Sequence, residues 1–173
     1  YKTFTEAISA IPNPLTTPIT YVAIDGTYNE QIEIPHITGS SPTNTVSFIS
    51  KSCDSSKVNL TFAATSVGNN YTIKLNGADY LNFKHISIKA AGTRYCKAIV
   101  LTNTASGNAF YHNKISCNDI STQPETETQL VYATGVGLDS NTFIGNYFYS
   151  GSFAIYYTGT TSDYISGTVI SEN

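Results

Sequence analysis

Residues 71–88, YTIKLNGADYLNFKHISI, hold three short apolar beats: Ile73 with Leu75, Leu81 with Phe83, and Ile86 with Ile88. Inside each beat the apolar side chains recur at a period of two, the spacing at which a strand sends alternate residues to one face. Polar or glycine-bearing pairs separate the beats, so the phrase predicts three strands and three bends. That is one turn of a coil, and a chain that repeats it has to stack turn on turn.

The phrase recurs. Six triplets close the first strand of successive turns: Ile24-Asp25-Gly26, Phe48-Ile49-Ser50, Leu75-Asn76-Gly77, Leu101-Thr102-Asn103, Ala133-Thr134-Gly135 and Tyr157-Thr158-Gly159. Their spacings of 24, 27, 26, 32 and 24 residues fall in the range of solenoid repeats, with loops of variable length between strands. A second column, Phe83, Phe110, Phe143 and Ile165, opens the second strand of four turns, and Ile88, Ile115, Phe148 and Ile170 follow five residues later. The expected fold is an all-β parallel solenoid of about six coils.

Composition fits. Only 12% of the 173 residues are charged while 40% are hydrophobic, and Thr, Ser, Asn, Tyr and Gly fill the places that Lys and Glu usually take. Such residues favour pleated strands and tight bends over helices. The net charge of −3, with no run of Lys or Arg, argues against nucleic acid as a partner. No stretch approaches the ~18 apolar residues of a membrane span, and the N-terminal residues do not read as a charged-then-apolar leader. The abrupt start suits a fragment of a longer chain. Cys53, Cys96 and Cys117 lack the spacing of a zinc site, so no metal is assigned. In an exported protein one disulfide and one buried thiol is the expected arrangement, with the pair left open.

Residues 2–11 read as the only helix. Thr3 and Glu6 form a capping-box pattern, Phe4, Ala7, Ile8 and Ile11 share a face, and Pro12 and Pro14 stop the helix. A solenoid exposes its core at its ends, so this element is expected as a lid over the first coil. Residues 1–14 are thus an N-terminal helical cap, and 19–173 the coils of one domain. The first coil covers residues 19–35, ITYVAIDGTYNEQIEIP, and the second residues 46–62.

A leading helix followed by V-x-I-x-x-G-x-Y-x-E-x-I-x-I resembles the opening of right-handed parallel β-helix proteins of the pectinesterase and pectate-lyase-like group. The continuation IPHITGSSPTNTVSFIS, then YTIKLNGADYLNFKHISI, resembles β-helix domains of large exported surface proteins of Bacteroidota. The resemblance implies a secreted or cell-surface bacterial protein. It does not carry over a catalytic set. Lys97 stands where a pectinesterase-like pattern has Gln, Cys117-Asn118-Asp119-Ile120 replaces its Gln-Asp turn, its Asp-bearing strand matches only Phe153-Ala154-Ile155, and the sole Arg, Arg94, lies in a loop. No catalytic residue and no cofactor is assigned. The acid-base candidates left are His85 and His112, expected to stack one coil apart, and Asp79 and Asp139.

Two polar columns are expected to be structural ladders: Asn113 with Asn146 at the bend after the second strand, and Asn108, Asn141 and Asp163 before it. The outward residues of the first strand, Ala23, Ser47, Lys74, Val100, Tyr132 and Tyr156, place two tyrosines on one face, with Tyr147 and Tyr149 on the neighbouring strand. Tyrosine faces of this kind stack on sugars or brace a sheet, so Tyr132, Tyr156, Tyr147 and Tyr149 are the candidate glycan-binding residues. The insertion NDISTQPETETQ, residues 118–129, is expected to be a solvated loop. The last coil, residues 153–170, lacks a cap, which leaves its end open for further β-helix coils or another chain. The functions in view are a non-catalytic adhesion or spacer module, a carbohydrate-binding module, and part of a polysaccharide-degrading enzyme.

Overall fold

In the computed structural model, which describes residues 1–118 and 124–173, three parallel sheets wrap one interior. The chain visits them in strict rotation. Sheet A contains β1 (Ile19–Ala23), β4 (Val46–Ser50), β7 (Leu81–Lys84), β10 (Ala109–Tyr111), β13 (Thr142–Ile144) and β16 (Val169–Ser171). Sheet B contains β2 (Gly26–Asn29), β5 (Val58–Phe62), β8 (Ser87–Ala90), β11 (Lys114–Cys117) and β14 (Tyr147–Tyr149). Sheet C contains β3 (Ile32–Pro35), β6 (Ile73–Asn76), β9 (Ile99–Thr102), β12 (Gln129–Thr134) and β15 (Phe153–Thr158). The result is an all-β right-handed parallel β-helix of five complete turns plus the first strand of a sixth.

Alternation at a period of two puts at least one column of each sheet into the interior, and sheet C adds a second through Ile32, Ile73, Ile99 and Val131. Sheet A contributes Tyr21, Phe48, Phe83, Phe110 and Phe143, stacked ring on ring at centroid distances of 5.3, 5.2, 5.3 and 5.0 Å. Sheet B contributes Tyr28, Leu60, Ile88, Ile115 and Phe148; sheet C contributes Ile34, Leu75, Leu101, Ala133 and Tyr157. From Phe83 to Phe143 the sheet A rings are fully buried.

The helix α1 is shorter than its sequence pattern, Phe4–Ser9, with Thr3 Oγ1 accepting from Glu6 N–H at 3.0 Å. Glu30 fastens it to the first coil. Its carboxylate accepts from Phe4 N–H and Thr5 N–H, both at 2.9 Å, while Phe4 meets Tyr28 edge to face at 5.0 Å. The apolar face of α1 thus lies over the end of the aromatic stack.

Four of the expected columns need correction. The last four triplets, from Leu75 to Tyr157, superpose as expected, but Ile34 precedes them in the column; Phe48 belongs to sheet A and Ile24 is an exposed corner residue. Glu33 therefore precedes Lys74 on the outer face of sheet C, while Ser47 lies on sheet A and Ala23 packs against the core. Phe143 pairs with Ile170, not Ile165, which also takes Ile170 out of the Phe148 column, because the connection from β15 to β16 is longer than the three before it, which precede β7, β10 and β13. The second turn also runs further than expected, to Asn76, since β6 completes it.

The described residues contain no disulfide. Cys53 is exposed on the turn after β4, and Cys96 is buried with its Sγ donating to Gly92 O at 3.1 Å; burial pushes the Cys96 thiol up to about 11. Cys117 is buried at the end of β11. Among the described residues no helix is long and apolar enough to cross a membrane.

Candidate functional site

The A-to-B corner is two residues long in three successive turns: His85-Ile86, His112-Asn113 and Gly145-Asn146. Its first position is left-handed each time, with φ of 56°, 53° and 64°. Asn113 Oδ1 accepts from Ile86 N–H at 2.9 Å while its Nδ2 donates to Phe83 O at 2.9 Å. Asn146 repeats this one turn on, accepting from Asn113 N–H and donating to Phe110 O, and Asn173 repeats it again below Asn146. The ladder therefore has three rungs. Asn173 was legible as the next member, 27 residues after Asn146, but the mis-phased last coil hid it.

At the C-to-A corner Asn108 Oδ1 accepts from Leu81 N–H, and Asn141 Oδ1 in turn from Asn108 N–H, both at 3.0 Å. Asp163 does not join them. It sits in the longer loop of the last turn, where its carboxylate accepts from Gly137 N–H. Asp79 and Asp139 do similar work on this corner, accepting from the N–H of Ser106 and of Ser166 respectively. His36, which sequence reasoning passed over, stands 3.9 Å from Asp79.

His85 and His112 stack as expected, with centroids 5.3 Å apart and planes 12° from parallel. Burial, then His112 and Lys84, hold the His85 imidazole below its ordinary range. The histidines and the aspartates do not share a surface. His85 and His112 occupy one of the two corners that bound sheet A and Asp79 and Asp139 the other, separated by the length of strand β7, so neither of those histidines pairs with Asp79 or Asp139.

The four tyrosines divide into two pairs on different sheets. On sheet C, Tyr132 and Tyr156 stack at 5.7 Å and 9°. Lys97, from the preceding turn, places Nζ 4.0 Å from the Tyr132 centroid, and Phe153 tilts against Tyr156. Burial holds the Lys97 ammonium below the usual lysine range, against an opposing pull from Glu127. Lys97 and Tyr156 approach Tyr132 from opposite ends of the coil axis, so that ring offers its edge and hydroxyl to a ligand. On sheet B, Tyr147 and Tyr149 lie side by side at 6.3 Å, 60% and 56% exposed.

Part of the expected loop, residues 119–123, lies outside the described residues, Asp119 and Ile120 with it. Among the described residues no group of three or more His, Cys, Asp or Glu side chains is arranged to hold a metal.

No family model matches this sequence, and no curated protein does. Solved structures do match its fold. Two forms of a pectin methylesterase from Aspergillus niger superpose with TM-scores of 0.56 and 0.57 at 14% and 16% identity, each covering 94% of this chain. A mutant pectin methylesterase in complex with a hexasaccharide superposes with a TM-score of 0.51 at 14% identity over 86% of the chain. The chain spans 59% of the length of the two Aspergillus structures and 51% of the third. At this identity the likeness is one of fold.

Proposed function

We propose that this chain is a non-catalytic adhesion or spacer module of a large exported protein of the bacterial surface, of the kind found in Bacteroidota, with residues 1–173 forming one β-helix unit capped by residues 1–14. The supporting observation is what the polar side chains do. Asn108, Asn113, Asn141, Asn146, Asp79 and Asp139 each accept a backbone N–H from a neighbouring turn. Groups that would otherwise be candidates for acid-base chemistry hold coil to coil. The far end supports a role in a larger assembly: Phe148, Ile155 and Ile170 line an open hollow of about 620 Å³, which suits further coils or another chain.

The test is an assay of the purified chain for ester, lyase and hydrolase activity on pectic and other polysaccharides, alongside its adhesion to glycan-coated beads. No turnover is expected. A turnover lost in Asp79→Asn or His112→Asn would overturn the reading in favour of the third possibility, part of a polysaccharide-degrading enzyme. A carbohydrate-binding module is the second reading, favoured by the exposed Tyr147–Tyr149 pair and by a structural neighbour solved with a hexasaccharide.

A further inference from the structure

Charge is distributed unevenly around this coil. No strand of sheet B contains Asp or Glu, and its outer face carries two lysines, Lys89 and Lys114, in adjacent strands. The register aligns Ser87, Lys114 and Tyr147 in one outward row and Lys89, Ser116 and Tyr149 in the next. Rows of neighbouring strands lie ~4.8 Å apart. A cation and an exposed aromatic ring therefore recur over three turns of one face, while Ser87 and Ser116 in the same rows are buried. Neither lysine has a salt-bridge partner among the described residues.

The carboxylates lie elsewhere. Asp79, Asp139 and Asp163 line the C-to-A corner, which in a three-sided coil is the edge opposite sheet B. Asp25 and Asp54 border only the first two strands of sheet B; nearer the last three, Glu125 and Glu127 lie on the loop to β12, with Glu127 engaged by Asn70, and Glu172 follows β16 at the corner, so acidic groups flank this face without lying on it. A polyanion approaching sheet B over its last three strands meets positive charge with the main acidic edge turned away, and charge complementarity of this kind steers a partner to one face.

We propose that the outer face of sheet B, over β8, β11 and β14, binds a linear anionic polysaccharide. Lys89 and Lys114 pair with its carboxylate or sulfate groups, and Tyr147 and Tyr149 pack against its sugar rings. The tyrosines favour a glycan over an acidic protein surface, since exposed rings offer apolar area to the C–H faces of sugars as well as hydroxyls to their oxygens. This deepens the adhesion reading and rests on it; a spacer that binds nothing would leave that module reading intact and remove this inference.

Affinity electrophoresis of the whole chain through gels containing polygalacturonate, dextran sulfate or neutral dextran tests it, with melting curves to establish that each variant is folded. Retardation is expected in one or both anionic gels, which distinguishes carboxylate from sulfate recognition, and not in dextran. Lys89→Ala with Lys114→Ala should weaken binding by about tenfold. Tyr147→Ser with Tyr149→Ser should weaken it by a similar factor, and Tyr164→Ser, an exposed tyrosine on the loop between β15 and β16, should leave it unchanged. Equal retardation by dextran, retention of binding in the double lysine variant, or loss only in Tyr132→Ser on sheet C would each overturn the proposal. So would absence of retardation in every gel, or a lysine-dependent self-association without glycan binding, which would give the face to a second copy's acidic corner. Turnover of polygalacturonate in the same gels would count against the non-catalytic reading instead, and so separates the two failures.

Discussion

On one side of sheet A the chain turns in two residues, three turns running; on the other it takes four residues before β7, six before β10, seven before β13 and ten before β16. Both corners are lined by side chains that accept backbone N–H groups from a neighbouring turn. They differ in what is buried. At the A-to-B corner Asn113 and Asn146 are 1% and 2% exposed, so every backbone group they meet depends on them. At the C-to-A corner Asn108 and Asn141 are buried in the same way, but the residues outside them, Asn103 and Thr104, are open to water. A corner whose outer part is solvated can lengthen, because water satisfies what the fold leaves unpaired; a two-residue corner whose second residue is buried cannot.

The sharpest way to break this contrast is to lengthen both corners by one residue. An alanine inserted between His112 and Asn113 moves Asn113 out of line and flips β11, turning Lys114 and Ser116 inward and Ile115 outward. The expected cost exceeds about 4 kcal/mol, from unsatisfied buried backbone groups and a lost core residue. The same insertion between Asn103 and Thr104 should cost less than about 1 kcal/mol. Urea unfolding of both variants decides it, and similar losses would mean that the corners are not different in kind.

The contrast also explains what could be read in the sequence. Ile88, Ile115 and Phe148 are in register as expected because a two-residue corner keeps them at constant distance from the Phe83, Phe110 and Phe143 column. Ile165 and Asp163 were misplaced because the corner before them has no fixed length, and a period of two says nothing about how many residues a solvated loop holds. The same blindness moved Ile24 and Phe48 into the wrong column: the connection from β3 to β4 is ten residues, and nothing in its composition gives that number. The candidate ligand faces were half legible. Alternation picked out Tyr132 and Tyr156 as outward neighbours, and Tyr147 and Tyr149 as outward on the neighbouring strand. The Lys89–Lys114 face escaped because those lysines are 25 residues apart and adjoin only through strand pairing.

A smaller lesion tests the ladder without changing corner length. Asn113→Ala leaves Ile86 N–H and Phe83 O buried without a partner, and at about 1–3 kcal/mol for each group the loss should approach 3 kcal/mol. Asp139→Ala, on the partly solvated side, should cost about 1 kcal/mol. If the two losses prove equal, burial is not what separates the corners.

Gly145 refines the comparison within the ladder. With φ of +64° and a position where a Cβ would lie 2.3 Å from His112 Nδ1, Gly145→Ala should lose about 1–2 kcal/mol, in part from backbone strain and in part from the clash. In a His112→Asn background only the backbone part should remain. A loss undiminished in that background would remove the stacked imidazole from the account of this corner.

The smallest effect distinguishes the corners by pH. The folded chain holds His85 below its ordinary value near 6.5, through burial first and the neighbouring His112 and Lys84 after it, so the unfolded chain binds more protons in that range. The stability this contributes is complete above about pH 6.5 and is lost as pH falls through the lowered folded value. Melting temperature should therefore drop on acidification from pH 7 toward pH 5, and His85→Asn, which keeps a side chain tolerant of the left-handed backbone, should flatten that slope. A slope that persists in His85→Asn would show that the stacked histidines do not govern the acid response of the A-to-B corner.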